Sequence, residues 1–526
     1  MTAIARPLYR RADLLRLLHP SSIAVIGAST RPGSFGERVL LNLADYDGRI
    51  YPVNARYDRI GEHPCHPSIE AVPERADCAV IAASRDVVAG LVTECAAAGA
   101  GGVIVFASGY AELGRPERIA EQDQLANLAH RARMPLIGPN CIGVVNCIRQ
   151  ARMTFMPIVP PPELWESAIG LISQSGAFGS ALAQRAARGV SFSHVLTSGN
   201  SCDVDMADYV AYLADEPACR AIACVFEGMA QPRRLLDAAR IAWQADKPLI
   251  VFKMATGEHG AAAAMSHTGS LAGSHEAYRA SLRREGAILV EHYEALLETA
   301  AFFAKAPPPK AQGVAILATS GGAGIMAADR AEQYGLPLPE PQPNTREILE
   351  RHIPEFGSAR NPCDVTAQVI NDPASLSACA TALLEQSDYG AIVSPQVYAY
   401  APAVPRIALY DEMAARAEKP ICSVWVTEDL VGPGARETEL TSHVALFRSM
   451  DNCFAALAAW QRRAAMQRAP TERAVRRSPE AARAEATTLI RGASSRALTE
   501  REAKAVLAIY GVPVVGEHLA ATADEA

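Results

Sequence analysis

Two side chains in this sequence have the type and setting for chemistry, His267 and Glu227. His267 lies in KMATGEHGAAAAMSHTGSLAG, from Lys253 to Gly273. An apolar strand is predicted before it over Ala245–Ala255, and helical spacing follows from Ser274 to Gly286. Ser266, His267, Thr268, Gly269 and Ser270 then form a small-residue loop in which little bulk keeps a ligand from the imidazole. An ordinary histidine in a polar loop fits this stretch equally well. His259, beside Glu258 on an earlier glycine turn, reads as solvated. Glu227 ends the apolar run AIACVFEGMA, where a carboxylate is costly without a partner. A histidine would serve as that partner, and a capping or salt-bridged glutamate is the plain alternative.

The elements that must position these groups repeat one plan. AIGLISQSGAFGSALAQRAARG (Ala168 to Gly189) is a strand, a turn at Ser173 to Gly176 and a helix; GVAILATSGGAGIMAADRAEQYG (Gly313 to Gly335) restates it. Free N–H groups at both helix starts favour an anion, so the pair reads as two helix N-termini aimed at one charged group. Upstream, SSIAVIGASTRPGSFGERVLLNL opens a nucleotide-binding βα unit whose turn is Gly27, Ala28, Ser29, then Pro32, Gly33 and Gly36. That turn departs from GxGxxG. After the next strand, Arg49 to Val53, stands Asn54, where an NAD site carries an acidic residue for the ribose. An NAD(P)-dependent oxidoreductase is thereby disfavoured. Further units are read at Cys78–Ser84, Gly101–Glu112 and Met134–Asn146, each strand ending in small or polar residues where ligands gather on an open parallel sheet. VLTSGNSCDVDMADYV adds Asp203 and Asp205 near another such loop.

Composition bounds the rest. At 526 residues and 49% hydrophobic, the chain holds three domains plus a fragment. A net charge of -7 with interspersed signs gives no sign of a nucleic-acid footprint or a membrane-binding patch, and the one arginine cluster, near Arg473 to Arg483, lies in an expected linker. No apolar run is long enough to span a bilayer, and the Arg-rich start runs into a strand without a cleavage-like signature, so a soluble cytoplasmic protein is expected. Twelve cysteines without a CxxC pair read as reduced core residues, and no structural metal is expected. Boundaries are expected at Pro157–Glu163 and Ala306–Gln312. A solvated helix or linker should occupy about 464 to 495, and LTEREAKAVLAIYGVPVVGEHLA should be a helix, a Gly-Val-Pro turn and a strand. A helix and one strand cannot bury a core, so this end reads as the start of an incomplete domain.

The ordered set IGASTRPGSFG, VIAAS, SGYAE, IGPNCIGVVN, SQSGAFG, SGN, FEGM, SHTGSLAG, SGGAGI and NPCDV resembles the nucleoside-diphosphate-forming acyl-CoA synthetases, relatives of succinyl-CoA synthetase and of the ADP-forming acetate–CoA ligases. The resemblance covers about residues 15 to 460, and the C-terminal end resembles the opening of the family's ATP-grasp domain. It implies an α/β fold: a Rossmann-like CoA-binding domain (15–150), two flavodoxin-like, succinyl-CoA ligase-like parallel-sheet domains (165–306 and 311–462), a linker (463–495) and an ATP-grasp fragment (496–526). It further implies that His267 is phosphorylated and Glu227 orients its imidazole. Ser175 and Gly176, with Ser320, Gly321, Gly322, Ala323 and Gly324, would hold the phosphate. Gly27, Ala28, Ser29, Ser84, Ser108, Gly109, Tyr110 and Asn140 would lie near CoA. The implied reaction converts carboxylate, CoA and ATP to acyl-CoA, ADP and phosphate through an acyl phosphate and a phosphohistidine. ATP and Mg2+ would be handled by an ATP-grasp domain or subunit, in a homo- or hetero-oligomer, with no metal site on this chain. Glycines 257, 260, 269 and 273 flank the histidine as hinges. The alternative is a non-catalytic, regulatory CoA- or acyl-CoA-binding protein. Acyl specificity is not legible, although no arginine stands out to clamp a second carboxylate, which favours a monocarboxylate.

Overall fold

The computed structural model describes residues 6–157, 166–268, 274–367, 372–469, 478–493, 497–517, 520, 522 and 524; of 265–268 it describes the backbone alone. The chain divides into a large unit, Met1–Met466, and a small one, Gln467–Ala526.

In the large unit the first sheet contains β1 (Ser22–Ile26), β2 (Arg49–Val53), β5 (Cys78–Ile81), β6 (Val103–Val105) and β7 (Leu136–Ile137), with a small hairpin β3–β4 (Arg59–Ile60, His63–Pro64) beside it. The order β2-β1-β5-β6-β7 is parallel throughout. β1 and β5 are buried along their whole length, which is why their sequences are continuous apolar runs.

The second sheet holds β8 (Gly143–Asn146), β9 (Ala151–Thr154), β10 (Ile169–Ser173), β11 (Phe192–Thr197), β12 (Ala221–Phe226), β13 (Leu249–Lys253) and β14 (Ile288–Leu289), in the order β14-β13-β12-β10-β11-β8-β9. Here the structure corrects the reading of Met134–Asn146 as one unit of the first domain. β7 ends the first sheet, whereas β8 pairs antiparallel with β11 and forms a hairpin with β9. The second sheet is therefore mixed rather than purely parallel. The hairpin covers an edge of β11 that would otherwise expose unpaired N–H and C=O groups. Gly143 makes the pairing possible: its φ is +105°, and a β-carbon there would lie 2.1 Å from the Met153 carbonyl oxygen. The expected boundary at Pro157–Glu163 falls largely on 158–165, outside the described residues.

The third sheet, β15 (Gly313–Ala318), β16 (Ser358–Ala359), β17 (Cys363–Asp364), β18 (Tyr389–Gln396), β19 (Ile421–Trp425) and β20 (Val444–Phe447), has the order β16-β17-β15-β18-β19-β20 with only β16 antiparallel. One helix, Tyr293–Lys305, serves both this sheet and the second. It packs on β12, β13 and β20, and ten consecutive residues from Ala295 to Ala304 are buried, all apolar except Thr299 and the ion-paired Glu298. Its last residue, Lys305, donates to the carbonyls of Glu439 and Val444, both at 2.9 Å, so the end of the second domain is fixed to β20.

The junction between the first two domains is ionic. Arg6 donates to Asp203 at 3.0 Å and Asp208 at 2.8 Å, Arg234 to Asp205 at 2.7 Å, and Asp203 accepts from the Leu136 N–H at 2.9 Å. Asp203 and Asp205 thus join elements rather than line an open loop, and burial, then Asp208, pushes the Asp205 carboxyl up to about 6.

The small unit has two helices, Glu480–Gly492 and Glu500–Ile509, which pack on each other. Thr499 and Glu502 form a reciprocal cap at the start of the second. The expected C-terminal strand is absent among the described residues: 512–517 have no regular secondary structure and no ladder pairing, and Val512, Val514 and Val515 are exposed. A strand needs a partner strand, and none is described in this unit.

Candidate active site

β10, β12 and β13 lie side by side and end together, and their last residues build a hydrogen-bonded corner. Gln174, one residue past β10, is 8% exposed, and its side-chain oxygen accepts from the backbone N–H groups of Glu227 at 2.9 Å and Gly228 at 3.3 Å. Glu227, one residue past β12, is also 8% exposed. Lys253, the last residue of β13, donates to the carbonyls of Glu227 and Met254 at 2.9 Å and of Ala255 at 3.5 Å. Its ammonium lies over the Tyr278 ring at 5.2 Å and the Phe226 ring at 5.7 Å. Burial lowers its pKa, while Glu227 acts in the opposite sense. The backbone of Glu227 is thus held from two sides. Neither Gln174 nor Lys253 was among the residues singled out from the sequence.

The structure differs from the expected loop around His267. After Ala255, whose φ is +56°, and Gly257, the helix Glu258–Thr268 forms and carries the backbone through His267. The Ala261–Ala264 run has the highest helix propensity available and propagates the turn into the serine and histidine. The imidazole and residues 269–273 lie outside the described residues, and so do the hinge positions Gly269 and Gly273. Gly257 has nothing within 4 Å of where a β-carbon would be, and His259 is exposed as expected.

The first of the two turns expected to hold phosphate begins at the same corner. Ser175 caps the helix Gly176–Ala183, its hydroxyl accepting from Phe178 N–H at 3.5 Å, and Ser173 donates to the Ser175 carbonyl at 2.5 Å. Gly176 must stay small, since a β-carbon there would lie 2.7 Å from the Ile142 side chain. The second turn stands at the end of β15. Ser320 precedes the helix Gly321–Gln333; Gly321 and Gly322 are exposed, Ala323 and Gly324 buried. The neighbours that crowd it come from its own domain: a β-carbon on Gly321 would lie 3.0 Å from an Asp364 carboxylate oxygen, and one on Gly324 3.4 Å from Pro362. Asn361 supports that wall, accepting from Ile316 N–H at 3.0 Å and donating to the Val314 carbonyl at 2.8 Å.

In the first domain, the turn after β1 is shaped for close approach of the backbone. Gly27 has φ +86°, and a β-carbon on Gly36 would lie 2.1 Å from the Gly27 carbonyl oxygen. Gly36 therefore lets the helix Phe35–Asn42 start against the turn, the part that the last glycine plays in a GxGxxG loop. Asn54 donates to the Ala28 carbonyl at 2.8 Å, so the position of an NAD-type acidic residue is used to hold the turn. The Ser29 hydroxyl accepts from Arg31 N–H at 3.0 Å. These residues fit a phosphate-bearing ligand such as CoA at the level of the backbone cradle.

The loop Ser108–Tyr110 is not an open anion cradle. Glu112 accepts from the N–H groups of Gly109 at 2.6 Å and Tyr110 at 3.0 Å. Ser108 is exposed, and Ser84 stands at the start of the helix Arg85–Ala97 next door, the Tyr110 hydroxyl reaching the Arg85 carbonyl at 3.4 Å. Asn140, with φ +56°, donates to Asn200 at 3.2 Å, and Asn200 donates to Glu112 at 2.6 Å. Asn200, from the SGN motif, thereby links the first-domain loop to the segment 139–142 that abuts Gly176. The structure thus joins Gly109, Tyr110, Asn140 and the Ser175 turn along one route, and Gln174, Glu227 and Lys253 at one corner. The Gly27–Ser29 and Ser320–Gly324 turns each stand at the strand ends of their own sheets.

Three family models match in the same order as the sheets: a CoA binding domain over residues 21–146, a succinyl-CoA ligase like flavodoxin domain over 166–303, and a Ligase-CoA domain over 314–441. The alpha subunit of ADP-forming acetate–CoA ligase II of Pyrococcus furiosus is 34% identical over 351 residues, 66% of this chain and 75% of that subunit. ADP-forming acetate–CoA ligase I of Archaeoglobus fulgidus is 37% identical over 351 residues, and there the match spans half of the relative's length. Among solved structures, the dinucleotide-forming acetyl-coenzyme A synthetase 1 of Ca. Korarchaeum cryptofilum, in complex with phosphate and ADP, superposes with a TM-score of 0.77 at 27% identity, covering 87% of this chain and 99% of that one. On these matches, and on three sheets whose ends carry the motifs, the chain belongs to the nucleoside-diphosphate-forming acyl-CoA synthetase family, which includes the ADP-forming acetate–CoA ligases.

Proposed function

We propose that this chain is the CoA-binding, histidine-bearing part of an ADP-forming carboxylate–CoA ligase, with acetate or another small monocarboxylate as substrate. The observation that carries the reading is the corner at the ends of β10, β12 and β13. There Gln174 of the first phosphate turn holds the N–H of Glu227, and Lys253, which leads into the His267 helix, holds its carbonyl.

In the forward direction the phosphoryl group passes from ATP to His267 at an ATP-grasp domain or subunit that also carries Mg2+. A neutral imidazole nitrogen attacks phosphorus, and Glu227 accepts a hydrogen bond from the other ring N–H, offsetting the positive charge that the ring gains. A carboxylate oxygen of the acid then attacks that phosphorus. The P–N bond breaks, leaving an acyl phosphate and a neutral imidazole. The helix starts at Ser175–Gly176 and Ser320–Gly324 stabilise the phosphoryl oxygens by their dipoles, which avoids trapping them on a fixed cation. Finally the CoA sulfur attacks the acyl carbon, the C–O bond to phosphate breaks, and the thiol proton leaves with the phosphate or to solvent. CoA is held by the first domain, at Gly27–Ser29 and the loops of Ser84, Ser108–Tyr110 and Asn140. The segments 15–150, 165–306 and 311–462 act as its three working domains, joined through 463–495 to the opening of an ATP-grasp domain at 496–526. We place the protein in the cytoplasm, where its twelve free cysteines stay reduced.

Running the relay backwards tests this without the nucleotide domain. Radiolabelled phosphate and a panel of acyl-CoAs are incubated with the purified chain, and acid-labile, base-stable label on the protein is measured. Label that depends on one acyl-CoA and vanishes in His267→Ala supports the proposal and names the acid. Absence of label with every thioester, while CoA still binds, overturns it in favour of a CoA or acyl-CoA sensor.

A further inference from the structure

A cavity of about 850 Å³ opens between the second and third domains, on the flank of the helix Gly176–Ala183. Its size suits a small organic ligand. Phe178, Leu182, Tyr293, Leu297 and Leu430 supply apolar wall, and Arg185, Arg188 and Arg448 stand at the polar side together with Glu294 and Glu298. Among the described residues, none of Glu227, Ser175, Gly176 or Ser320–Gly324 borders it.

The polar side is under-bonded. The Arg448 side chain is 9% exposed, and its Nε and Nη2 are shielded from water and without a hydrogen-bond partner among the described residues; the same holds for Arg185 Nε. Its ionic contacts are long, 3.3 Å to Glu439 and 4.0 Å to Glu298, and Arg185 stands 3.9 Å from Glu439 and 3.6 Å from Glu298. Elsewhere in this protein buried pairs close to 2.8 Å (Arg6–Asp208) and 2.7 Å (Arg234–Asp205). Burial and then the neighbouring Arg185 disfavour the Arg448 charge. Both open donors of Arg448 lie on one edge of its guanidinium, the edge that takes a carboxylate in two parallel hydrogen bonds. A buried donor left open costs stability, so the missing partner is an oxygen acceptor. Next to it Ser449 caps the helix Met450–Arg468, its hydroxyl accepting from Asn452 N–H at 3.4 Å, which adds the positive end of a long helix.

We propose that this cavity binds a small organic oxyanion, a carboxylate or a phosphate monoester with a compact apolar body, which takes the Nε–Nη2 edge of Arg448 after that guanidinium turns outward. The ligand sits on the flank of the helix Gly176–Ala183, away from Glu227 and from both expected phosphate turns, and bridges the two domains that Lys305 already ties together.

The test is isothermal titration of the full chain with benzoate, phenyl phosphate and inorganic phosphate. Saturable binding of benzoate or phenyl phosphate, at least about tenfold tighter than inorganic phosphate, is the expected result, and the tighter of the two names the headgroup. Arg448→Met should weaken it by about tenfold or more. Leu430→Trp, which fills the mouth without touching an ionic contact, should do the same, and it keeps the test valid if Arg448→Met fails to fold. Glu227→Gln should leave binding unchanged. No saturable binding of either aromatic anion, binding that survives Leu430→Trp, inorganic phosphate binding as tightly as the aromatic anions, or loss of binding in Glu227→Gln would each overturn the proposal.

Discussion

The side-chain oxygen of Gln174 accepts the backbone N–H groups of both Glu227 and Gly228, at 2.9 and 3.3 Å, so the turn at Ser173–Gly176 and the strand end bearing the glutamate are one unit. Gln174→Leu keeps the volume but leaves two buried donors open, at a cost of about 2 kcal/mol in urea denaturation. Displacing Glu227 by a fraction of an ångström should also slow phosphate labelling of His267 by about 100-fold. CoA affinity should be unaffected, since Gln174 does not belong to the first domain. A variant that labels at the native rate would separate Gln174 from the relay.

Gly36 and Gly27 make a second sharp case. A β-carbon on Gly36 would fall 2.1 Å from the Gly27 carbonyl oxygen, inside any permitted contact, and the obstacle is backbone. Gly36→Ala must push the helix Phe35–Asn42 away from the turn, and CoA affinity should fall by at least about tenfold with a stability loss of about 1–3 kcal/mol. By contrast, Gly61→Ala meets open space but carries φ +59°, so it should cost only about 1 kcal/mol and leave CoA binding alone. Equal CoA affinity of Gly36→Ala and the native chain would remove the turn from the proposed site.

These two cases mark what sequence carries. A strand that is buried on both faces reads as an apolar run, and the turn after it reads as small residues, so β1, β10, β12, β13 and β15 and their turns were legible, as was a carboxylate ending β12. Gln174 was within the quoted motif, yet nothing local shows that its side chain reaches across to the next strand's amides. Lys253 was hidden for a related reason. A lysine at a strand end reads as solvated, and only the loop's path brings three carbonyls to it. The stretch that forms β8 reads as part of a first-sheet unit because an apolar run does not name its partner, and β9 carries no signal of its own. The His267 stretch was read as a loop because Ser, Thr and Gly outweighed the alanines before them.

Lys253 gives the third prediction. It is 3% exposed and its donors are spent on backbone carbonyls of Glu227, Met254 and Ala255. Lys253→Met leaves those carbonyls unsatisfied and should lower stability by about 2–3 kcal/mol. Because Met254 and Ala255 lead into the helix Glu258–Thr268, amide exchange of residues 256–268 should rise more than that of β12. Uniform exchange across both would mean that the lysine is only a general brace of the core.

His194 gives the last. Its ring is fully buried at the β11–β8 pairing, 3.3 Å from the Tyr212 hydroxyl, with Glu216, His19 and Arg11 as the charged groups that act on it. Burial first, against the opposing pull of Glu216, lowers its pKa to about 4. A histidine whose folded pKa lies below its unfolded value near 6.5 binds more protons when unfolded. Its neutral form is therefore favourable to the fold above pH 6.5, and stability drains away as the pH falls from 6.5 through 4. Across that window the loss attributable to this one ring is up to about 3 kcal/mol. His194→Gln, which keeps a polar partner for Tyr212 and cannot titrate, should be less stable than the native chain at pH 7.5. It should also lose less on acidification to pH 4.5 in matched urea titrations. Parallel losses in the two proteins would show that the ring does not titrate in this range and that other groups carry the acid sensitivity.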